Sequence, residues 1–369
     1  MTNTTSEPHN DSIFKEAIVV FSLAVLAAVL IKLPSIFGYD LDQNENLYFR
    51  NMSFFALPLV TAYFAWKREL KTKTILFLTI PFLMALTFAN IYPFEQHADT
   101  EVLLALHLPV TLWLLVGIAF SGRQWRQSNE RMNFIRFYGE SFIYYVLIAL
   151  GGGVLSGFMA LIFGTIDIDI EPFFESWLLP CGATGAIIIA VWLAEIRSNL
   201  AANFAPVLAK LFSPLFAIML ITFLGVMAFT GKELITDREV LIAFDLLLIV
   251  VLALLLYSIS ARNSEDTPGV FDVIQVVLVV SALIADAVAL LGISERIAEF
   301  GFTPNRVAAL GLNLILLVNL IWSVVLYIRF LRGKSSFSVL EKWQTGYLTV
   351  YAAWGAIVVI VFPLLFGFE

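Results

Sequence analysis

The chain has 369 residues, of which 60% are apolar and 14% charged, with a mean hydropathy of +0.89. That balance excludes a water-soluble globule, because one core cannot hide so much apolar surface, and it demands the lipid bilayer as solvent. A single cysteine, Cys181, excludes an intramolecular disulfide; His9, His97 and His107 are too scattered for a ligand set, so no metal and no cofactor are implied. The net charge of −7 says little about partners, since the two signs are segregated along the chain, and nothing suggests nucleic acid.

In chain order, a short polar tail at 1–12 leads into apolar segments that predict membrane spans at 14–33, 52–66, 74–92, 102–120, 137–163, 173–194, 209–229, 240–260, 271–292, 304–328 and 344–367. Roughly 20 residues per span plus short connections uses the whole length, so residues 1–369 read as one membrane domain with no soluble part. The first segment reads as an uncleaved anchor, because its core is long and its leading residues carry no cation. Every second connection is basic: Lys67, Arg68, Lys71 and Lys73; then Arg123, Arg126, Arg131 and Arg136; then Arg329, Arg332, Lys334 and Lys342, with Lys15, Arg197, Lys210 and Arg262 on the same side. The alternate connections are acidic, and of the 22 Lys and Arg only Lys32, Arg50, Lys232, Arg238, Arg296 and Arg306 fall among them. Basic residues are retained in the cytoplasm. The expected fold is therefore an all-α polytopic bundle of about eleven transmembrane helices, N-terminus inside and C-terminus outside.

Two connections suggest structure of their own. Leu200, Phe204 and Leu208 recur every four residues, which predicts a short helix in the membrane interface. From Thr165 to Glu171, isoleucines alternate with Asp167, Asp169 and Glu171, a period of two that places three carboxylates on one face of an extended, solvated loop. Within the spans, Gly151, Gly152, Gly153 and Gly157 in the fifth, and Gly182, Gly185 and Ala186 after Pro180 and Cys181 in the sixth, predict close packing of those two helices. The alternative is a pair of broken helices that line a binding site.

Ionisable groups inside spans are costly and so informative. Glu140, Asp245, Asp272 and Asp286 are the acids singled out, with His107 as a further titratable group. Glu140 and Asp272 lie within a turn of the cytoplasmic interface and are expected to reach it. Asp245 and Asp286 instead lie at matching depth on consecutive antiparallel helices, roughly 8–9 Å below the outer edge at about 1.5 Å per residue. Asn313 and His107 fall at a comparable level, which predicts a polar patch in the outer half of the bundle.

The most distinctive stretch joins the ninth and tenth spans, from Ile293 to Val307. Ser294–Phe300 suits a short helix, Gly301 the residue just past its end, Thr303 an N-cap and Pro304 a first helical residue. Arg306 is the exception, since a cation in the first turn opposes the helix dipole. Glu299, Asp286, a lipid phosphate or an anionic substrate are its candidate partners. The run Glu299-Phe-Gly-Phe-Thr-Pro-Asn-Arg306 resembles the Gln/Glu-Tyr-Gly-Leu-Thr-x-x-Arg signature of a bacterial family of multi-spanning membrane proteins known only as a domain of unknown function. The resemblance covers about residues 205–369, a five-helix half, with Phe300 where the family usually has Tyr and without the soluble C-terminal extension of many members. It implies a multi-pass protein of the bacterial inner membrane and supplies neither reaction nor ligand.

Two functional readings stay open. One is a transporter or permease-like protein in which Asp245 and Asp286, with Asn313, bind a proton or cation, while Arg306, together with Arg296 and beside Glu299, holds an anionic small molecule or lipid headgroup at the outer mouth. The other is an assembly, sensor or envelope-associated component whose buried charges only fix helix register. No motif for an intramembrane enzyme is present, and no catalytic residue is assigned.

Overall fold

The computed structural model describes residues 7–95, 98–164, 170–196, 198–230 and 238–369. Every regular element among them is helical: α1 (Glu7–Ile36), α2 (Glu45–Asn51), α3 (Leu57–Lys67), α4 (Thr72–Ile91), α5 (Asp99–Ser121), α6 (Ser128–Gly164), α7 (Glu171–Phe173), α8 (Leu179–Ile196), α9 (Ser198–Thr230), α10 (Arg238–Ala261), α11 (Val270–Phe300), α12 (Pro304–Leu331), α13 (Phe337–Ile360) and α14 (Phe362–Leu365). Among the described residues nine helical stretches are long and apolar enough to cross a membrane. This is the make-up of a multi-pass membrane protein, and the nine coincide with nine of the eleven expected spans.

The remaining two segments are helical but differ in kind. At 52–66 a 3-10 turn, Met52–Phe55, precedes the 11-residue α3. Pro58 lies in the first turn of α3, where its missing N–H costs nothing and its fixed φ suits a helix start. At 344–367 the chain forms α13 and α14, and Gln344, Thr345 and Thr349 dilute the apolar character of α13. The interface helix expected around Leu200 is the first part of the 33-residue α9 rather than a separate element; the side chains of Leu200, Phe204 and Leu208 lie outside the described residues, as do residues 165–169 of the alternating acidic segment. Likewise Ser294–Phe300 is not a separate helix but the continuation of α11.

The chain divides into two compact units. The first holds 7–91, Leu112–Arg123 and Phe137–Ser198; the second holds Tyr92–Thr111, Gln124–Arg136 and Asn199–Glu369.

In the first unit the small residues of α8 pack against α1, not against α6. A Cβ on Gly185 would rest 3.6 Å from the Ala24 carbonyl, whereas one on Gly151, Gly152, Gly153, Gly157 or Gly182 would meet nothing within 4 Å. The expected close approach of the fifth and sixth spans through these glycines is thus corrected: the α6 glycines face away from protein, and the sixth span's partner is the first. The irregularity in the sixth span is a π-helical segment, Phe174–Leu178, just before α8. Pro180 has no N–H to return to the Ser176 carbonyl four residues back, and Lys32 of α1 supplies the missing donor, with Nζ 2.7 Å from that oxygen and 4.6 Å from the Trp177 ring centroid. Replacing Lys32 with Met should therefore cost about 1–2 kcal/mol. In a Pro180→Ala background, where the backbone N–H is restored, the same change should cost less than half of that. Thermal unfolding of the purified protein in detergent measures both, and equal losses would show that Lys32 does not serve the proline's carbonyl.

The same unit contains a compensated charge cluster. Glu16 Oε1 accepts from Tyr63 Oη and from Lys67 Nζ, both at 2.5 Å; Glu195 Oε1 lies 3.5 Å from Lys67 Nζ and 2.9 Å from Arg68 Nη2; Arg68 Nε donates to the Phe120 carbonyl at 3.2 Å. Two carboxylates face two cations, so the pairs lock α1, α3, the end of α5 and α8 together without a net buried charge. Asn51 and Asn90 add a reciprocal amide pair at 2.9 and 2.8 Å.

In the second unit α11 is the central helix. Its fully buried Ala282, Ala285 and Ala289 recur at helical spacing and let α10 and α12 approach closely. Gly311 of α12 lies under the Trp354 ring of α13, where a Cβ would fall 2.1 Å from ring atoms. The turn back into the bundle is closed at the chain's last described residues, where the carbonyls of Phe368 and Glu369 accept from the backbone N–H groups of Glu95 and Thr100 at 3.2 and 2.9 Å.

Candidate functional site

Four helices of the second unit bring polar side chains to one level. Asp286 occupies the middle of α11 within the alanine stripe, is 0% exposed, and neither of its carboxyl oxygens has a hydrogen-bond partner. Asp245 of α10 is its electrostatic neighbour. Asn313 of α12 is also fully buried; its Nδ2 donates to Asp245 Oδ1 and to the Ala309 carbonyl, both at 2.8 Å. Those two bonds use both amide hydrogens and so fix the amide's orientation, leaving Oδ1 as a buried acceptor without a donor. From α13, the Tyr351 hydroxyl is buried in the same helices. The depth argument from sequence thus places Asp245, Asp286 and Asn313 together, while Tyr351 was not singled out.

A buried carboxyl without a donor or counter-charge is among the most expensive groups a fold can carry. Such a group takes up a proton or a cation, or it is not retained. The one charged neighbour that the bundle gives Asp286 is itself a carboxylate, Asp245. Among the described residues no three His, Cys, Asp or Glu side chains come together as a metal site.

The Glu299–Arg306 run forms a second group, at the α11–α12 turn. Gly301 ends α11 with φ +76° and donates its N–H to the Ile297 carbonyl at 2.9 Å, a backbone conformation that glycine adopts without penalty. Thr303 caps α12, its Oγ1 accepting from the Arg306 N–H at 3.4 Å, with Pro304 following. Arg306 then reaches back: Nη1 donates to the carbonyls of Phe300 and Gly301 at 3.0 and 2.9 Å, and the guanidinium lies 5.4 Å from the Phe300 ring centroid. Its charge meets the negative end of the α11 dipole, which accounts for a cation in the first turn without a carboxylate. Arg296 sits 5.6 Å from the centroid of the same ring, and Glu299 is exposed. Because α11 runs 14 residues beyond Asp286 to Phe300, the turn and the carboxyl pair are about 20 Å apart along the helix at ~1.5 Å per residue. Arg296, Glu299 and Arg306 therefore make a site distinct from Asp245, Asp286 and Asn313. His107 bonds its own helix, with Nδ1 2.9 Å from the Leu103 carbonyl.

Two further polar layers lie in the same helices, and neither was anticipated. Asn319, Ser323 and Gln344 form a closed set: Gln344 Nε2 donates to Asn319 Oδ1 at 2.9 Å and Ser323 Oγ at 2.6 Å, and Asn319 Nδ2 returns a bond to Gln344 Oε1 at 3.1 Å. Gln275 donates to Ser213 at 2.7 Å across α9 and α11. At the α10–α11 turn, Arg262 pairs with Asp272 through Nε–Oδ1 at 2.8 Å and Nη2–Oδ2 at 3.2 Å, between the rings of Phe330 and Phe337 at 4.7 and 4.4 Å. Asp272 and Glu140, expected to reach the interface, are instead each 3% exposed. Asp272 stays buried because Arg262 and the Gly269 N–H, at 2.8 Å, provide what water would have provided. Comparison with family models, with curated proteins and with solved structures finds no match to this chain.

Proposed function

We propose that the protein is a transporter or permease-like component whose Asp245, Asp286 and Asn313 centre binds a proton or cation during turnover. The observation that carries this reading is Asp286, a fully buried carboxyl with no partner on either oxygen. A charge kept only for architecture would be paired, as Asp272, Glu16 and Glu195 are; a carboxyl kept empty-handed inside an apolar bundle suits a group that must gain and lose an ion. The finer assignments belong to the same proposal: eleven spans, with 52–66 and 344–367 as the additional crossings, the N-terminus inside and the C-terminus outside, and the inner membrane of a bacterium as the location. The charge alternation supports the orientation, and the Glu299–Arg306 run supports membership of the uncharacterised bacterial family it resembles. Arg306 and Arg296, half-buried around Phe300 at the α11–α12 turn, would there face an anionic solute or lipid headgroup at the outer mouth.

The competing reading, an assembly or sensor component, is favoured by the paired clusters at Arg262–Asp272 and Glu16–Lys67–Glu195, which are architectural. The two separate in one experiment. Protein reconstituted in liposomes with an entrapped pH-sensitive dye should show ion-dependent proton movement that Asp286→Asn and Asp245→Asn each abolish while both variants remain folded and incorporated. Loss of the folded protein in both variants, or unchanged movement in both, rejects the transport reading.

A further inference from the structure

The α11–α12 turn leaves one edge of Arg306 unused. Of the guanidinium nitrogens, Nη1 is taken by the Phe300 and Gly301 carbonyls at 3.0 and 2.9 Å. Nε and Nη2 make no hydrogen bond or ion pair among the described residues, Glu299 included, and neither atom is buried. Resting on the reading of this turn as a site for an anionic group, we propose that the Nε–Nη2 edge of Arg306 binds the phosphate of a membrane lipid whose acyl chains lie against Phe300 and Phe302.

Two parallel N–H groups on one guanidinium edge match two oxygens of one phosphate, and this pair of charge-assisted bonds fixes the anion's orientation as an ammonium could not. Here the edge is preset. The two carbonyl bonds and the Phe300 ring, whose centroid lies 5.4 Å from the guanidinium carbon, hold the plane, so binding does not have to order a free side chain. Arg296 brings a second cation to the same ring, 5.6 Å from its centroid. Glu295 and Glu299 are exposed on the last turns of α11, so these four side chains carry no net charge. Recognition therefore rests on the geometry of the fork rather than on long-range attraction.

Depth favours a lipid over a free solute. The 31 residues of α11 span about 46 Å at ~1.5 Å per residue, against ~30 Å of hydrocarbon and ~40–45 Å with the headgroups included. Since α11 and α12 are both long and apolar enough to cross a membrane, the turn that joins them lies at headgroup level. Phe300 and Phe302 are each more than half exposed there. Apolar rings beside a cation at this boundary suit the junction between acyl chain and phosphate, whereas a soluble anion would leave the rings uncovered.

Binding to the full-length protein, delipidated in a neutral detergent, tests this. The probes are dioleoyl phosphatidylglycerol, dioleoylglycerol, which has the same chains and no phosphate, and inorganic phosphate; native mass spectrometry follows the lipids and calorimetry the free anion. The expected result is saturable binding of phosphatidylglycerol at least about tenfold tighter than of dioleoylglycerol, the order of one hydrogen bond to a charged group. Arg306→Lys keeps the charge and a donor for the α11 carbonyls but has no fork, and should lose about the same factor. Phe302→Ser changes an exposed ring outside the cap, so it leaves the fold intact, and should weaken phosphatidylglycerol by about threefold through lost apolar cover; it decides the matter if Arg306→Lys does not fold. Equal binding of the two glycerolipids, or wild-type binding by either folded variant, overturns the proposal. Inorganic phosphate bound as tightly as phosphatidylglycerol rejects the lipid while leaving the anion-site reading intact, and binding of neither anion rejects both. The flux experiment on Asp286 is independent of these outcomes.

Discussion

Asp286→Leu is expected to stabilise the protein by about 1–3 kcal/mol, the order of penalty that a buried polar group without hydrogen bonds imposes, while reducing ion-dependent flux to background. The two side chains share one branched heavy-atom shape, the site is fully buried, and the flanking Ala282, Ala285 and Ala289 make an apolar wall, so leucine replaces an unsatisfied group with one that suits apolar surroundings. No hydrogen bond to Asp286 is lost, because none exists. Asp286→Asn should be close to neutral in stability and equally inactive, since an amide neither gains nor loses a proton. Thermal unfolding in a fixed detergent, read beside the liposome flux, gives both quantities. A marked loss of stability in Asp286→Leu would mean that the carboxyl holds the bundle together, and the functional reading would fail with it. Opposite signs for stability and activity are the signature of a residue retained at a structural cost for what it does.

How far the sequence reaches can be judged from these same helices. Asp245, Asp286 and Asn313 were legible because a carboxyl in a long apolar run is improbable, and because depth on antiparallel helices follows from residue count alone. Tyr351 was not, since a tyrosine counts as apolar in a hydropathy reading and its hydroxyl is informative only when its neighbours are known. Asn319, Ser323 and Gln344 are uncharged and lie in three different turns, so nothing in the chain says that they meet. Glu16 escaped notice at the start of the first span, where an acid ordinarily reaches water; its partners Tyr63 and Lys67 come from α3, some fifty residues on. The cap residues Gly301, Thr303 and Pro304 are local chemistry and read correctly, but the extent of α11 did not, because Ser294, Glu295 and Arg296 look like the end of a span when only lipid burial is considered. The glycines of α6 show the opposite failure. Small residues permit close packing without demanding it, and the partner helix they would need is supplied to α8 by Ala24 of α1.

Removing the Asp272 carboxylate is the second change with a large expected effect, and it runs in the opposite direction. Asp272→Ala should destabilise by about 3–5 kcal/mol, because it leaves a guanidinium buried between Phe330 and Phe337 with no counter-charge. Part of that loss is offset, since Arg262 also donates to the carbonyls of Asn263, Asp266 and Thr267 at 2.7, 3.1 and 3.1 Å. Arg262→Ala should cost as much, as it strips the α10–α11 turn of those bonds and strands the carboxylate. Arg262→Lys should recover little: an ammonium cannot meet both carboxylate oxygens, serve three carbonyls and lie flat between two rings. The double change Arg262→Met with Asp272→Leu should return most of the stability, as apolar replacements of buried ion pairs do. Denaturation in detergent measures all four, and a double variant no better than the singles would show that the pair acts through something other than its charges. Two aspartates on one helix, 14 residues apart and both buried, are thus expected to answer with opposite signs. Asp272 has every partner its charge needs and Asp286 has none, so the hydrogen-bond inventory of a buried carboxyl, and not its burial, separates a charge that holds this bundle from one that works in it.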